Sequence, residues 1–230
     1  QDRLIRDLRT SQRSEDTAHL TIFSLARLAE ARDTDTGEHL HRVRSFSRLL
    51  ALQLRRNGHF MDTLTDEYVS LVYSTSPLHD IGKVSIPDCV LLKPDRLDDE
   101  EWKVMQTHAT AGAATLEAAL AKYPEAAFLQ MARDIAATHH ERFDGTGYPM
   151  GLAGDDIPLC GRIVALADVY DALTSKRIYK GAYSHTMACR MIAAEAGSHF
   201  DPRIVTCFQD CQSQFKIIRN GTAEPLPLAA

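Results

Sequence analysis

The sequence has no apolar run near the ~20 residues a membrane-spanning helix requires. Its opening, "QDRLIRDLRTSQRSED", is polar and unlike a secretory leader. A cytoplasmic protein without a membrane span is the expectation. Excess positive charge is also missing. The net charge is −5 and the pI near 6.1, which argues against a general binder of DNA or of anionic membranes. A small anion held by a local basic cluster is still compatible. Cysteines are few: Cys89, Cys160, Cys189, Cys207 and Cys211 make an odd set with no C-x-x-C pair. Reduced thiols are expected, and a cysteine-based zinc site is not. No strand-like alternation persists, no repeat or low-complexity tract occurs, and the first residue is Gln rather than Met, as in a piece of a longer protein.

What is present is ordinary globular composition. The 230 residues are 44% hydrophobic and 25% charged, enough for one large domain or two small ones around a sizeable core. Helical patterns dominate, so the fold class is an all-α bundle with an N-terminal lead-in helix. Residues 1–34 carry Leu4, Leu8, Ile22, Leu25 and Leu28 among many charges. They read as a linker or dimerisation helix, or equally as a helix packed on its own domain. A helix over 36–57 closes at Asn57-Gly58, and another runs from Asp66 to Ile81 and stops at Gly82. Residues 84–97, with two prolines, form a connection. The D-x-x-E pattern at Asp98 and Glu101 opens a helix to about Lys122. Helices over 125–140, 158–175 and 184–196 follow, and a last one starts near Pro202. Between them, 141–158 holds four glycines and two prolines and must be a long structured loop. The catalytic unit is set at 35–215 and a flexible tail at 216–230.

The histidines and aspartates fall on these helices in a telling way. His39 shares a stripe with Val43, Phe46 and Leu50, and His108 lies on the inward face with Met105 and Gly112. His139 continues the stripe Phe128, Ala132 and Ile135, with His140 beside it. His79 and Asp80 are adjacent near a helix end, and Asp168 is embedded in the apolar run "GRIVALADVYDALTS". Each has an ordinary explanation: Asp80 pairing with Lys83, His79 capping a turn, an arginine satisfying Asp168. Taken together, several helices each offer an inward His or Asp. Imidazole and carboxylate donors suit iron, manganese, zinc or nickel. Two such ions ~3.5–4 Å apart suit the hydrolysis of phosphate esters.

The stretches "LHDIGKVSIPD", "HHERFDGTGYPMGL", "IPLCGRIVALADVYDALTSKRIYK" and "GSHFDP" together resemble the HD-GYP domain, a branch of the HD phosphohydrolases, over residues 24–210. The resemblance implies a helical bundle that holds two or three divalent metals, iron or manganese before nickel or zinc. It implies cleavage of the bacterial messenger cyclic di-GMP to pGpG and then GMP. The implied ligands are His39, His79, Asp80, His108, His139, His140 and Asp168. Asp80 and Lys83 would act in catalysis, with Arg177, Lys180, Tyr148 and Asp171 at the substrate. The Gly147-Tyr148-Pro149 loop would shape the cleft and contact GGDEF-type diguanylate cyclases. Asp35 stands where relatives commonly carry Glu; it either ligates a third metal or caps the next helix, and two metals is the preferred count. A receptor or scaffold with little turnover, and a hydrolase for another nucleotide, are the alternatives. An upstream sensory or receiver domain and a homodimer through the leading helix complete the expectation.

Overall fold

The structure, a computed structural model, describes residues 20–32, 38–176 and 181–221. These form helices α1 (20–30), α2 (Glu38–Arg56), α3 (Asp66–Thr75), a one-turn α4 (Asp88–Leu91), α5 (Asp99–Leu120), α6 (Ala127–Thr138), α7 (Leu159–Thr174), α8 (His185–Ala194) and α9 (Pro202–Arg219). Short 3-10 turns occupy Ser76–Leu78, Ile81–Ser85 and Gly154–Asp156. No β-strand occurs among the described residues, so the all-helical expectation holds.

Helix α2 runs through the middle and packs on α3, α7 and α9. Its apolar stripe Val43, Phe46, Leu50 and Leu54 is fully buried. Phe46 stacks on Phe215 of α9 at 4.5 Å and meets Tyr170 of α7 edge-on at 5.1 Å. Each such ring contributes about 1.5–3 kcal/mol by burial. The helix ends where the sequence predicts. Gly58 takes φ of +79°, and the His59 and Gly58 amides donate back to Leu54 O and Arg55 O, the bonding pattern of a left-handed C-terminal cap. The start of α5 is also as expected: Asp98 accepts from the Glu100 and Glu101 amides while the Glu101 carboxylate accepts from the Asp98 amide.

Two readings need correction. The helix from Asp66 ends at Thr75, not Ile81, because Pro77 cannot continue it and the chain tightens into 3-10 turns. Phe128 is 38% exposed and is not part of the inward stripe, which is Ala132, Ile135 and Ala136. At the N-terminal end, Phe23 and Ala26 of α1 pack in a second apolar cluster with Leu40, Leu78, Leu116 and Ala132, in line with the alternative of a helix packed on its own domain. At the other end α9 continues past 215 to Arg219, whose guanidinium donates to Thr174 O; residues 222–230 of the expected tail lie outside the described residues.

Candidate metal centre

The 3-10 turns after α3 are what bring His79 and Asp80 together with ligands from other helices. His79 Nδ1–H donates to Ser76 O at 2.9 Å, His108 Nδ1–H to Met105 O at 2.7 Å, and His139 Nδ1–H to Ile135 O at 3.0 Å. His39 Nδ1–H donates to Asp171 Oδ2 at 2.8 Å. A carbonyl can only accept, so in a neutral imidazole the second nitrogen, Nε2, carries a lone pair. The Nε2 atoms of His79, His108 and His139 are buried with no hydrogen-bond partner, as is Glu30 Oε2. Buried polar atoms without partners are costly. Anchored Nδ1 atoms with free, converging Nε2 atoms are what a metal site requires.

The donors form two sets, Asp80 with His108, His139 and His140, and Glu30 with His39 and His79. Asp80 joins them. Its Oδ1 lies 3.3 Å from His108 Nε2 and 3.7 Å from His139 Nε2, while its Oδ2 lies 3.4 Å from His79 Nε2 and 2.8 Å from Lys83 Nζ. One carboxylate oxygen therefore faces each set. Asp168 Oδ1 adds a donor 3.6 Å from His39 Nε2 and 3.8 Å from His79 Nε2. The residues fit two divalent cations with a shared carboxylate.

The electrostatics agree. Burial acts to raise the Asp80 carboxyl, but Lys83 and His79 overcome it and hold it well below the usual carboxylate range. Burial, then the neighbouring His139 and His108, push His140 well below the usual imidazole value, and burial lowers His108. Both suit neutral, lone-pair-bearing ligands. For His79 burial also lowers, yet Asp80, Asp168 and Glu30 together carry it up to about 9. That is the mark of carboxylates crowding a place where a cation would sit. Burial pushes Glu30 itself up to about 7.

The site opens into a cleft of about 280 Å³ whose lining includes Lys83, Asp168, Met105, Trp102 and Tyr148. The long loop walls it. Tyr148 stacks on His140 at 4.7 Å and 24°. Glu141, buried beneath the loop, accepts from the Met150 and Leu152 amides at 2.7 and 3.1 Å. Gly147 lies so close to Glu141 and Arg142 that a Cβ would meet the Arg142 nitrogen at 2.3 Å. Only glycine lets the chain pass there, next to the cis Tyr148-Pro149 bond.

A model of the HD domain matches residues 27–204 of the chain. The chain belongs to the HD-domain family. The HD pair itself is His79-Asp80, and the sequence Gly147-Tyr148-Pro149 places this HD domain in the HD-GYP branch. The chain is 46% identical over 209 residues to a protein of Vibrio cholerae serotype O1 named cyclic di-GMP phosphodiesterase, covering 91% of this chain and 42% of that one. It is 40% identical to "3'3'-cGAMP-specific phosphodiesterase 2" of the same organism, over 89% of this chain and 37% of the relative. The HD domain thus spans less than half the length of these relatives. The crystal structure of the V. cholerae cyclic GMP-AMP phosphodiesterase V-cGAP3 superposes with a TM-score of 0.63 at 19% identity, over 91% of this chain and 54% of that chain, and shares the fold.

All seven ligands implied by the motifs, His39, His79, Asp80, His108, His139, His140 and Asp168, converge here. Asp35, Arg177 and Lys180 lie outside the described residues. Asp171 needs correction: it is 1% exposed, cannot reach a substrate, and instead orients His39 while Arg42 forks onto it at 2.5 and 2.9 Å. Glu30 was missed. Its signal is its place seven residues after Phe23, which puts a carboxylate on the buried face of α1. Glu30→Gln keeps the shape and removes an anionic ligand. Purified protein is expected to retain roughly half of the parental metal, as losing a carboxylate that would touch the ion lowers affinity at that set by at least about 10–100-fold. Metal analysis checks it, and undiminished content would remove Glu30 from the ligands.

Proposed function

We propose that this domain is a two-metal phosphodiesterase that opens the cyclic dinucleotide cyclic di-GMP. The observation that carries the reading is Asp80 on the floor of an open cleft, with Oδ1 facing His108 and His139 and Oδ2 facing His79, three imidazoles whose buried Nε2 atoms have no hydrogen-bond partner. When bound, divalent ions supply Lewis acidity toward the phosphoryl oxygens and a nucleophile at neutral pH. The chain's own residues do the rest. Asp80 links the two sets, and Lys83 holds Asp80 in place and offers a positive charge to a phosphate oxygen. The half-buried phenol of Tyr148 is pushed up by desolvation, so it stays protonated and can donate. Arg177 and Lys180 are proposed to orient the substrate from the segment after α7.

Iron or manganese is the proposed metal, pGpG and then GMP the products, and a bacterial cytoplasm the setting. A diguanylate cyclase that contacts the Gly147-Tyr148-Pro149 loop, an upstream sensory domain and a homodimer are proposed partners. One relative named for 3'3'-cGAMP at 40% identity supports testing substrate choice directly. Protein purified anaerobically and loaded with Fe or Mn should hydrolyse cyclic di-GMP in a panel with 3'3'-cGAMP, cyclic di-AMP and pGpG. Tight nucleotide binding without product in every case would sink the enzyme reading and favour a receptor.

A further inference from the structure

The cleft has two unlike walls. Its floor is imidazole and carboxylate, whereas the side formed by α4, α5 and the loop presents Leu91, Trp102, Met105 and Tyr148. Trp102, the one tryptophan in the chain, is 49% exposed. Its ring makes a T-shaped contact with Tyr148, centroids 6.3 Å apart at 81°, and Tyr148 is in turn stacked on His140. Trp102 and the ligand His108 are six residues apart on α5, about 9 Å along the axis. A large indole half open to solvent, in T-shaped contact with Tyr148, lines the cleft at roughly one nucleotide's reach from the ligands.

We infer that Trp102 is a nucleobase platform: one purine of the substrate stacks on its open face while the attached phosphate reaches the metal floor. This deepens the phosphodiesterase reading and rests on it for the identity of the substrate. Every base has a π-face, so stacking tolerates guanine and adenine alike. Trp102 thus contributes affinity for cyclic dinucleotides as a class, and the choice among them is made elsewhere in the cleft.

The test uses the full chain. Trp102→Ala should raise KM for cyclic di-GMP and 3'3'-cGAMP roughly 5- to 150-fold, the span that stacking of one base provides, with the larger part of the loss in KM rather than kcat. Trp102→Phe should recover part of it, which a purely structural role would not predict. A second readout needs no variant. In zinc-loaded protein, the emission of this single tryptophan should be quenched by GMP and not by ribose 5-phosphate, which carries the same phosphate without a base. Unchanged KM in Trp102→Ala, or emission indifferent to GMP, overturns the platform. Quenching by GMP in a protein that hydrolyses no cyclic dinucleotide would sink the phosphodiesterase reading and uphold the platform.

Discussion

Asp80→Asn is expected to reduce hydrolysis by at least about 10³-fold, more than the 10²–10³ lost with one transition-state hydrogen-bond donor, and to strip most of the bound metal. The substitution keeps volume and leaves an oxygen for Lys83, whose Nζ is 2.8 Å from Oδ2. What it removes is the negative charge shared by both donor sets. Oδ1 serves the His108 and His139 side and Oδ2 the His79 side, so the His108, His139 and His140 set loses its carboxylate and the His39 and His79 set is left with Glu30 and Asp168. Thermal unfolding separates chemistry from folding. A ligand at a hundred times its Kd stabilises by about 2.7 kcal/mol, which for a chain of this size raises Tm by about 5–11 °C. Parent protein should show that rise on adding Mn, and Asp80→Asn should show little of it. Metal-loaded Asp80→Asn turning over at the parental rate would refute the bridging role.

How much of this site could be read from the sequence depended on whether the cause was local. The stripes holding His39 and His108 were legible, because a helix puts i, i+4 and i+7 on one side and the neighbours were plainly core residues. The α5 capping box and the Gly58 stop were legible for the same reason: both are contacts within a few residues. Asp171 was misplaced because its partners come from far away. It lies three residues from Asp168 and shares its side of α7, yet His39 and Arg42 of α2 claim it. That pairing, across more than a hundred residues, leaves no periodic trace. Glu30 was hidden by the segment 33–37, since nothing in its composition says whether α1 turns back onto the domain. The two halves of the Lys83 question turned out not to compete. Asp80 does pair with Lys83 and His79 does bond its own turn, and those bonds are what leave the other faces of both side chains free for a cation.

The glycine at 82 shows how packing supports the chemistry. Its sequence position reads as a helix stop, but its φ is not in the left-handed region. A Cβ there would meet His108 O at 1.9 Å and the Gly112 nitrogen at 2.5 Å. Both obstacles are backbone and cannot rotate away. Gly82 is therefore the place where the HD turn touches α5, and the contact fixes Asp80 against His108. Gly82→Ala must separate these elements. The expected cost is about 3 kcal/mol or somewhat more, the upper range of overpacking, or a Tm lower by about 6–12 °C, together with loss of bound metal. Gly112→Ala meets its nearest neighbours at 3.1–3.4 Å and should fall between the parent and Gly82→Ala in both respects. Gly58→Ala is the control: its Cβ meets nothing within 4 Å, but φ is +79°, so it should cost about 1–2 kcal/mol in backbone strain and leave metal content intact. If Gly82→Ala kept parental metal and stability while Gly58→Ala did not, the tight contact between the HD turn and α5 would not be what holds the two donor sets in register.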